Sequence, residues 1–123
     1  MMRKRLLVTV VETPEFLSAS KKLFTEIQRA DLVDYLARMP EEGDLIPDSG
    51  GIRKLRWMLE GRGKRGGGRV IYFYHDHRLP LFLLTAYAKN QKDDLDAGIL
   101  RDFRALTKSI AATYAAKGRR KLQ

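Results

Sequence analysis

The chain has 123 residues, enough for one domain with a hydrophobic core and too few for two. Its 24 lysines and arginines exceed its 15 aspartates and glutamates, which gives a formal net charge of +9 at pH 7. A charge of this sign favours a polyanionic partner such as nucleic acid, an anionic membrane surface or an acidic protein. The chain contains no cysteine, which excludes disulfides, thiolate zinc sites and cysteine nucleophiles.

The N-terminus superficially resembles a signal peptide, because cations precede an apolar stretch. That stretch, LLVTVV, is short and β-branched and is followed by an acid rather than a small-residue cleavage site. No apolar run approaches the roughly 20 residues that a membrane span needs. We therefore predict that Leu6–Glu12 is the first strand of a cytoplasmic protein with no membrane partner.

Two helices are predicted next. Thr13 followed by Pro14 is typical of a helix N-cap and first helical position, and this helix is expected to run to about Lys22. The second helix is predicted from about Thr25 to Met39, and Pro40 ends it. Its apolar side is expected to consist of Ile27, Leu32, Leu36 and Met39.

The connector EEGDLIPDSGG is rich in turn-forming residues, and three strands are predicted after it. These strands are Ile52–Leu59, Arg69–His75 and Leu81–Tyr87, with HDHRLP as the turn between the last two. A helix is then predicted from about Lys92 to Ala116. The apolar stripe of this helix recurs every three or four residues and consists of Leu95, Ile99, Phe103, Leu106, Ile110 and Tyr114.

These elements predict one α+β domain over residues 1–123, in the order β-α-α-β-β-β-α. Its core is expected to span about residues 5–116, and residues 117–123 are predicted to form a frayed basic tail.

Charge is segregated along the chain. Residues 51–75 contain seven cations and one acid, whereas residues 31–50 contain six acids and one cation. In the strand IRKLRWML, Lys54 and Arg56 project from one face about 7 Å apart, close to the spacing of adjacent phosphates. Arg69 joins them on one cationic surface if the two strands pair. Such a surface is consistent with binding a polyanion and equally with solubility and edge protection.

The glycine-rich stretch GRGKRGGG at residues 61–68 lies between two of these strands. It leads into a strand rather than a helix, so it is neither a Walker A loop nor a dinucleotide fingerprint. Its backbone N–H groups and the side chains of Lys64 and Arg65 can bind phosphate oxygens. An ordinary long hairpin loop explains the same residues equally well.

Tyr87, Lys89 and Lys92 lie at or just beyond the end of the last strand, where functional side chains often emerge from a rigid scaffold. Tyrosine can stack on a base or donate a proton, and lysine can neutralise the charge of a phosphorane. These three residues are therefore candidates for RNA chemistry.

Two further polar groups are interpreted structurally. Asp93, Asp94 and Asp96 are attributed to the start of the last helix, where each acid is favourable by up to about 1 kcal/mol. His75 and His77 have no third and fourth ligand nearby in sequence, so a solvated turn is favoured over a metal site.

Three stretches, in this order and spacing, together resemble the RelE/HigB-type toxins of bacterial toxin–antitoxin systems. They are GDLIPDSGGIRKLRW, GRGKRGGGRVIYFY and LFLLTAYAKNQKDDL, and the resemblance covers roughly residues 5–113. It implies a small, mostly antiparallel β-sheet with two N-terminal helices and one C-terminal helix. It also implies a metal-independent, ribosome-dependent endoribonuclease without cofactors, which cuts mRNA and is neutralised by a cognate antitoxin that carries a helix-turn-helix.

The chemistry that the resemblance implies is attack of a ribose 2′-hydroxyl on the adjacent phosphate. That reaction needs a base, cations around the phosphorane and an acid for the departing 5′-oxygen. Arg69 matches the family's strand-opening arginine and is expected to stabilise charge in the transition state. Lys54 and Arg56 match its basic strand and are expected to act as base or to stabilise charge. The remaining cations are expected to bind RNA; they are Arg53, Arg62, Lys64, Arg65 and Lys92.

The segment YAKN departs from the family pattern. RelE has an arginine just after the matching strand, whereas this chain has Lys89 followed by Asn90. Lys89 is therefore a further catalytic candidate, and the general acid stays open between Tyr87 and Lys64.

Two other functions are compatible with the same residues. One is a ParE-like toxin, which shares the fold and poisons a DNA gyrase by binding. The other is a basic module that binds RNA or the ribosome without catalysis. The density of cations on the sheet favours the nuclease, because a protein-binding poison does not need them there.

Overall fold

The computed structural model describes residues 7–58, 67–89 and 96–121, except for the side chains of residues 118–121. Within these ranges it contains five strands and three helices. In chain order they are β1 (Val10–Glu12), α1 (Pro14–Leu23), α2 (Glu26–Arg38), β2 (Asp44–Leu45), β3 (Ile52–Trp57), β4 (Gly68–Phe73), β5 (Leu81–Ala88) and α3 (Ala97–Lys121). No helix of the described ranges is long and apolar enough to cross a membrane.

The strands form one sheet in the order β1-β5-β4-β3-β2. β1 runs parallel to β5, and the other three pairs of neighbours are antiparallel. The predicted α+β class and the mostly antiparallel sheet are therefore confirmed.

Three elements differ from the prediction by more than one or two residues at an end. β1 begins at Val10 rather than at Leu6, because, in the part of the chain that the structure describes, only residues 10–12 pair with β5. β2 forms inside the turn-rich connector, where no strand was predicted, because two residues are too few to show an alternating pattern. α3 begins at Ala97 rather than near Lys92, and it continues to Lys121 through much of the predicted tail. Asp96 caps this helix, since its Oδ1 accepts a hydrogen bond from the backbone N–H of Ile99 at 2.8 Å.

The sheet separates two hydrophobic cores. α1 and α2 pack on one face, over a core that includes Phe16, Leu32, Leu36, Leu55, Tyr72 and Leu83. α3 contributes to the core on the other face, which includes Ile52, Ile71, Phe73, Phe82, Leu84 and Phe103. Trp57 is half-buried against the first core, with its ring 5.5 Å from that of Tyr35.

Three residues of the predicted apolar stripes are exposed, so their assignment to the core was wrong. In α2, Ile27 is 76% exposed because it lies five residues before Leu32, a rotation of about 140° around the helix. Met39 lies just beyond the end of α2 and is also exposed. In α3, Leu106 is 45% exposed, and Thr107 is buried in its place.

A reciprocal pair of hydrogen bonds fixes the start of α2. The Thr25 hydroxyl accepts from the Gln28 backbone N–H at 3.1 Å, and the Gln28 side chain accepts from the Thr25 backbone N–H at 3.0 Å. We expect Thr25→Ala to lower the free energy of unfolding by about 1 kcal/mol, because a backbone donor loses its acceptor. Chemical denaturation measures this loss, and Thr25→Ser should retain most of the stability. Equal stability of the alanine variant and the wild type would contradict the prediction.

Candidate functional site

Three of the predicted site residues lie side by side across the sheet. Arg56 of β3 is directly opposite Arg69 of β4, and Arg69 is directly opposite Tyr87 of β5. Directly opposed residues in an antiparallel sheet project to the same face with Cβ atoms about 4.5–5.5 Å apart. Arg56, Arg69 and Tyr87 therefore form a continuous row, which we call the cationic row. It lies on the face that α3 covers, at the end of the sheet where β4 begins.

Lys54 extends this site by one step along β3. It lies on the same face as Arg56, opposite Ile71 of β4 on one side and Asp44 of β2 on the other. A cleft of about 270 Å³ follows this edge of the sheet and is lined in part by Asp44, Lys54 and Arg56. The predicted strand pairing of Lys54, Arg56 and Arg69 is thus present.

The position of Asp44 beside Lys54 was not predicted. It depends on a two-residue strand within a connector, so no local periodicity pointed to it. Directly opposed residues of an antiparallel pair have Cβ atoms about 4.5–5.5 Å apart, so the Asp44 carboxylate can attract and orient the Lys54 side chain. Asp44 is therefore a further residue that can position Lys54.

Burial differs sharply along the cationic row. Arg56 is exposed, whereas Arg69 is 7% exposed and Tyr87 is 9% exposed. One terminal nitrogen of Arg69, Nη1, donates to the carbonyl oxygen of Gly68 at 3.1 Å. A buried guanidinium acts in a lower dielectric than an exposed one, so Arg69 has the strongest field toward an adjacent anion.

Lys89 lies at the same end of the sheet. Its backbone N–H donates to the Gly67 carbonyl at 3.0 Å, which places it beside the start of β4, and its side chain is exposed. The predicted RNA-binding residues Arg62, Lys64, Arg65 and Lys92 lie outside the described residues, and so does most of the glycine-rich loop.

Arg53 lies on the opposite face of the sheet, away from the cationic row. Its Nη1 donates to the carbonyl oxygens of Glu41 and Gly43 at 3.0 and 2.9 Å. These bonds attach the turn before β2 to β3. The structure therefore gives Arg53 a role in holding the turn that leads to Asp44.

Tyr72 holds the same turn from β4. Its hydroxyl donates to the Pro40 carbonyl at 2.8 Å and accepts from the Gly43 backbone N–H at 2.8 Å. Burial raises the pKa of the Tyr72 hydroxyl to about 12. The hydroxyl is therefore neutral and able to donate throughout the physiological pH range.

The turn that contains His75 and His77 is an ion-paired surface turn. Both histidines are exposed, and the carboxylate of Asp76 accepts from Arg78 Nη2 at 2.7 Å and from the Arg78 backbone N–H at 2.8 Å. The hydrogen bonds from the Arg78 side chain hold the pKa of Asp76 well below its usual range. Within the part of the chain that the structure describes, no group of three His, Cys, Asp or Glu residues is arranged to hold a metal ion.

Comparisons with known proteins agree with the resemblance seen in the sequence. A family model described as the RelE toxin of the RelE / RelB toxin–antitoxin system matches residues 12–122. Among solved structures, a mutant of the E. coli toxin RelE in the free state, with two arginines replaced by alanine, matches with a TM-score of 0.50. The two chains are 14% identical, and the match covers 71% of this chain and 88% of that chain. At this identity the structural match concerns the fold.

Proposed function

The chain belongs to the RelE toxin family and is the toxin of a toxin–antitoxin system, and on this premise we propose how it acts. It is a ribosome-dependent endoribonuclease that cleaves mRNA and thereby inhibits translation. The observation that carries this proposal is the cationic row with Lys54 beside it, because the row places two arginines and a tyrosine on one rigid surface.

The row suits the charge that develops during cleavage of RNA. Attack of the 2′-oxygen on the adjacent phosphorus forms a phosphorane, which carries more negative charge than the starting phosphodiester. Arg69 is held by the sheet on both sides, and its planar fork of donors can bind two phosphorane oxygens at once. Arg56 is the exposed member of the row and meets the incoming backbone first.

The proton transfers are assigned to the residues around Arg69. Lys54, oriented by Asp44, takes the proton of the 2′-hydroxyl or adds charge. Arg56 adds charge only, because a guanidinium has no lone pair free to take a proton. Tyr87 is the candidate acid within the row for the departing 5′-oxygen, and Lys64 is the alternative outside the described residues. The proposed reaction employs side chains alone and invokes no metal ion or cofactor.

The other functions are less consistent with these residues. A ParE-like poison that binds gyrase does not need a buried arginine between a second arginine and a tyrosine. A module that only binds RNA needs exposed cations that contact phosphates. Burial of Arg69 fixes the position of its guanidinium and adds no contact area, so simple RNA binding does not require it. Action on translating ribosomes implies a cytoplasmic location, with mRNA and ribosomal RNA as partners beside the antitoxin.

Mapping of 5′ ends by primer extension tests the proposed function. We expect the purified chain to cut an mRNA at defined positions in a reconstituted translation reaction, and to leave the same mRNA intact when ribosomes are omitted. Both reactions contain the same buffer and salt, so the ribosome is the only difference.

The other results each contradict a part of the proposal. Equal cleavage without ribosomes would remove ribosome dependence. Intact mRNA with inhibited DNA supercoiling would indicate a gyrase poison. Intact mRNA with tight ribosome binding would indicate a non-catalytic module.

A further inference from the structure

A second surface lies on the α3 side of the sheet, separate from the cationic row. It is a groove of about 410 Å³ between α3 and the turn that precedes β3. The residues that line it include Ser49 and Gly50 of that turn and Phe73 and His75 at the end of β4. Phe73 is four residues from Arg69 along β4, about 13 Å away, so the groove is at the far end of the strand.

The rim of this groove is cationic. Arg101, Arg104 and Lys108 project from α3, are exposed, and recur at the helical spacing that puts them on one side. They extend over about 10 Å of the helix axis. None of the described residues that line the groove is a carboxylate. The acids next to it in sequence are Asp48, Asp76 and Asp102; Asp76 is ion-paired with Arg78, and Asp102 is exposed on α3 without lining the groove.

The wall of the groove below this rim is apolar. Ala105 and Ala111 of α3 present methyl groups to it, and the Phe73 ring closes it from the sheet. Phe73 is only 1% exposed, so its ring contributes a floor and has no free face on which a nucleobase could stack. A phosphate backbone would contact the rim and leave the apolar wall empty. A peptide with both acidic and apolar side chains would fill both.

We propose that this groove binds an acidic amphipathic segment of the cognate antitoxin. Apolar side chains of that segment lie on Ala105 and Ala111, and its carboxylates pair with Arg104, Lys108 and Arg101. This inference rests on the assignment as a toxin with an antitoxin partner and does not depend on the proposed nuclease chemistry. Because the groove lies at the far end of β4, the partner can be held there without contacting Arg69.

Binding of purified antitoxin to charge-reversed variants tests the proposal. The full chain carries Arg69→Ala in every sample, so that no RNA cleavage interferes, and the Kd is measured by isothermal titration calorimetry. We expect Arg104→Glu combined with Lys108→Glu to weaken antitoxin binding at least about tenfold, because two attractive pairs become repulsive.

The matched control is Lys21→Glu combined with Lys22→Glu, which makes the same change in net charge. Both lysines are exposed at the end of α1, on the opposite face of the sheet. This control should change the Kd by less than about twofold. Circular dichroism and thermal unfolding show that both variants are folded before binding is compared. If folding fails, Ala105→Glu places a single repulsive charge in the groove and is expected to weaken binding in the same direction.

Three results would overturn the proposal. An unchanged Kd for the groove variant would remove the groove from the interface. Equal weakening by the control would attribute the effect to net charge. Unchanged antitoxin binding with reduced ribosome binding would make the groove an RNA surface. If the groove substitutions are made without Arg69→Ala and mRNA cleavage is lost, that result bears on the proposed nuclease function and not on antitoxin binding.

Discussion

Replacement of Arg69 by alanine is expected to lower the rate of mRNA cleavage on the ribosome roughly 100- to 1,000-fold. The reason is that Arg69 is the buried centre of the cationic row, with Arg56 opposite it on β3 and Tyr87 opposite it on β5. A charge held in place by two neighbouring strands needs no reorganisation when the phosphorane forms. The measurement is the single-turnover rate of cleavage of a defined mRNA bound to the ribosome.

Two variants make this measurement specific. Arg69→Lys keeps the charge and loses the planar fork, so it should recover only part of the rate. Arg78→Ala makes the same substitution in the exposed turn before β5 and should leave the rate unchanged. Thermal unfolding of each variant separates a loss of chemistry from a loss of folding. Full activity of folded Arg69→Ala would remove this residue from the site.

Replacement of Tyr72 by phenylalanine is expected to lower the free energy of unfolding by about 1–3 kcal/mol. The hydroxyl of Tyr72 bridges the Pro40 carbonyl and the Gly43 N–H, and the side chain is fully buried. Removal of the hydroxyl leaves a buried donor and a carbonyl without this partner. A Cβ on Gly43 would lie 2.8 Å from the Tyr72 ring, so Gly43 packs directly against Tyr72 and a larger residue does not fit there.

Tyr72 also makes the free energy of unfolding depend on pH in the alkaline range. The pKa of Tyr72 is raised by burial from 10.0 to about 12, so the folded state holds the proton more tightly than the unfolded state. The stabilisation is therefore complete below about pH 10 and is lost as the pH rises toward 12, by up to about 1.4 kcal/mol per pH unit. Burial also raises the pKa of Tyr74, so part of the dependence persists in the variant.

Chemical denaturation at several pH values between 8 and 12 measures both effects. Tyr114→Phe is the matched control, because Tyr114 of α3 packs its ring against Phe82 of β5 and is only partly buried. The control should cost less than about 0.5 kcal/mol and keep the full alkaline slope. A Tyr72→Phe variant as stable as the wild type, with the same slope, would show that the turn is held by other contacts.

Much of the fold follows from local patterns in the sequence. Thr13 caps α1 as predicted, and α2 starts just after Thr25, close to its predicted start. The core of β3, β4 and β5 lies where β-branched and aromatic residues are concentrated. These features depend on neighbours a few residues apart, so a single sequence contains them. The alternation of β3 also placed Lys54 and Arg56 on one face before any partner strand was known.

Other features depend on contacts that are distant in sequence. A register shift between Ile71 and Tyr72 puts Leu83 and Tyr87 on opposite faces of the sheet, whereas strict alternation along β5 would put them on the same face. The burial of Arg69 likewise involves strands on both sides, β3 and β5, which are not evident in the residues around it.

The sequence by itself therefore determined which residue types this protein offers for its chemistry: a pair of cations on one strand, an arginine that opens the next, and a tyrosine near the end of the third. The tertiary structure alone decided that Arg56, Arg69 and Tyr87 stand in one row, and that Asp44 lies beside Lys54. The physical reason is that periodicity fixes the face of a side chain within its own strand, whereas register between strands is fixed by loops, bulges and packing far away in sequence.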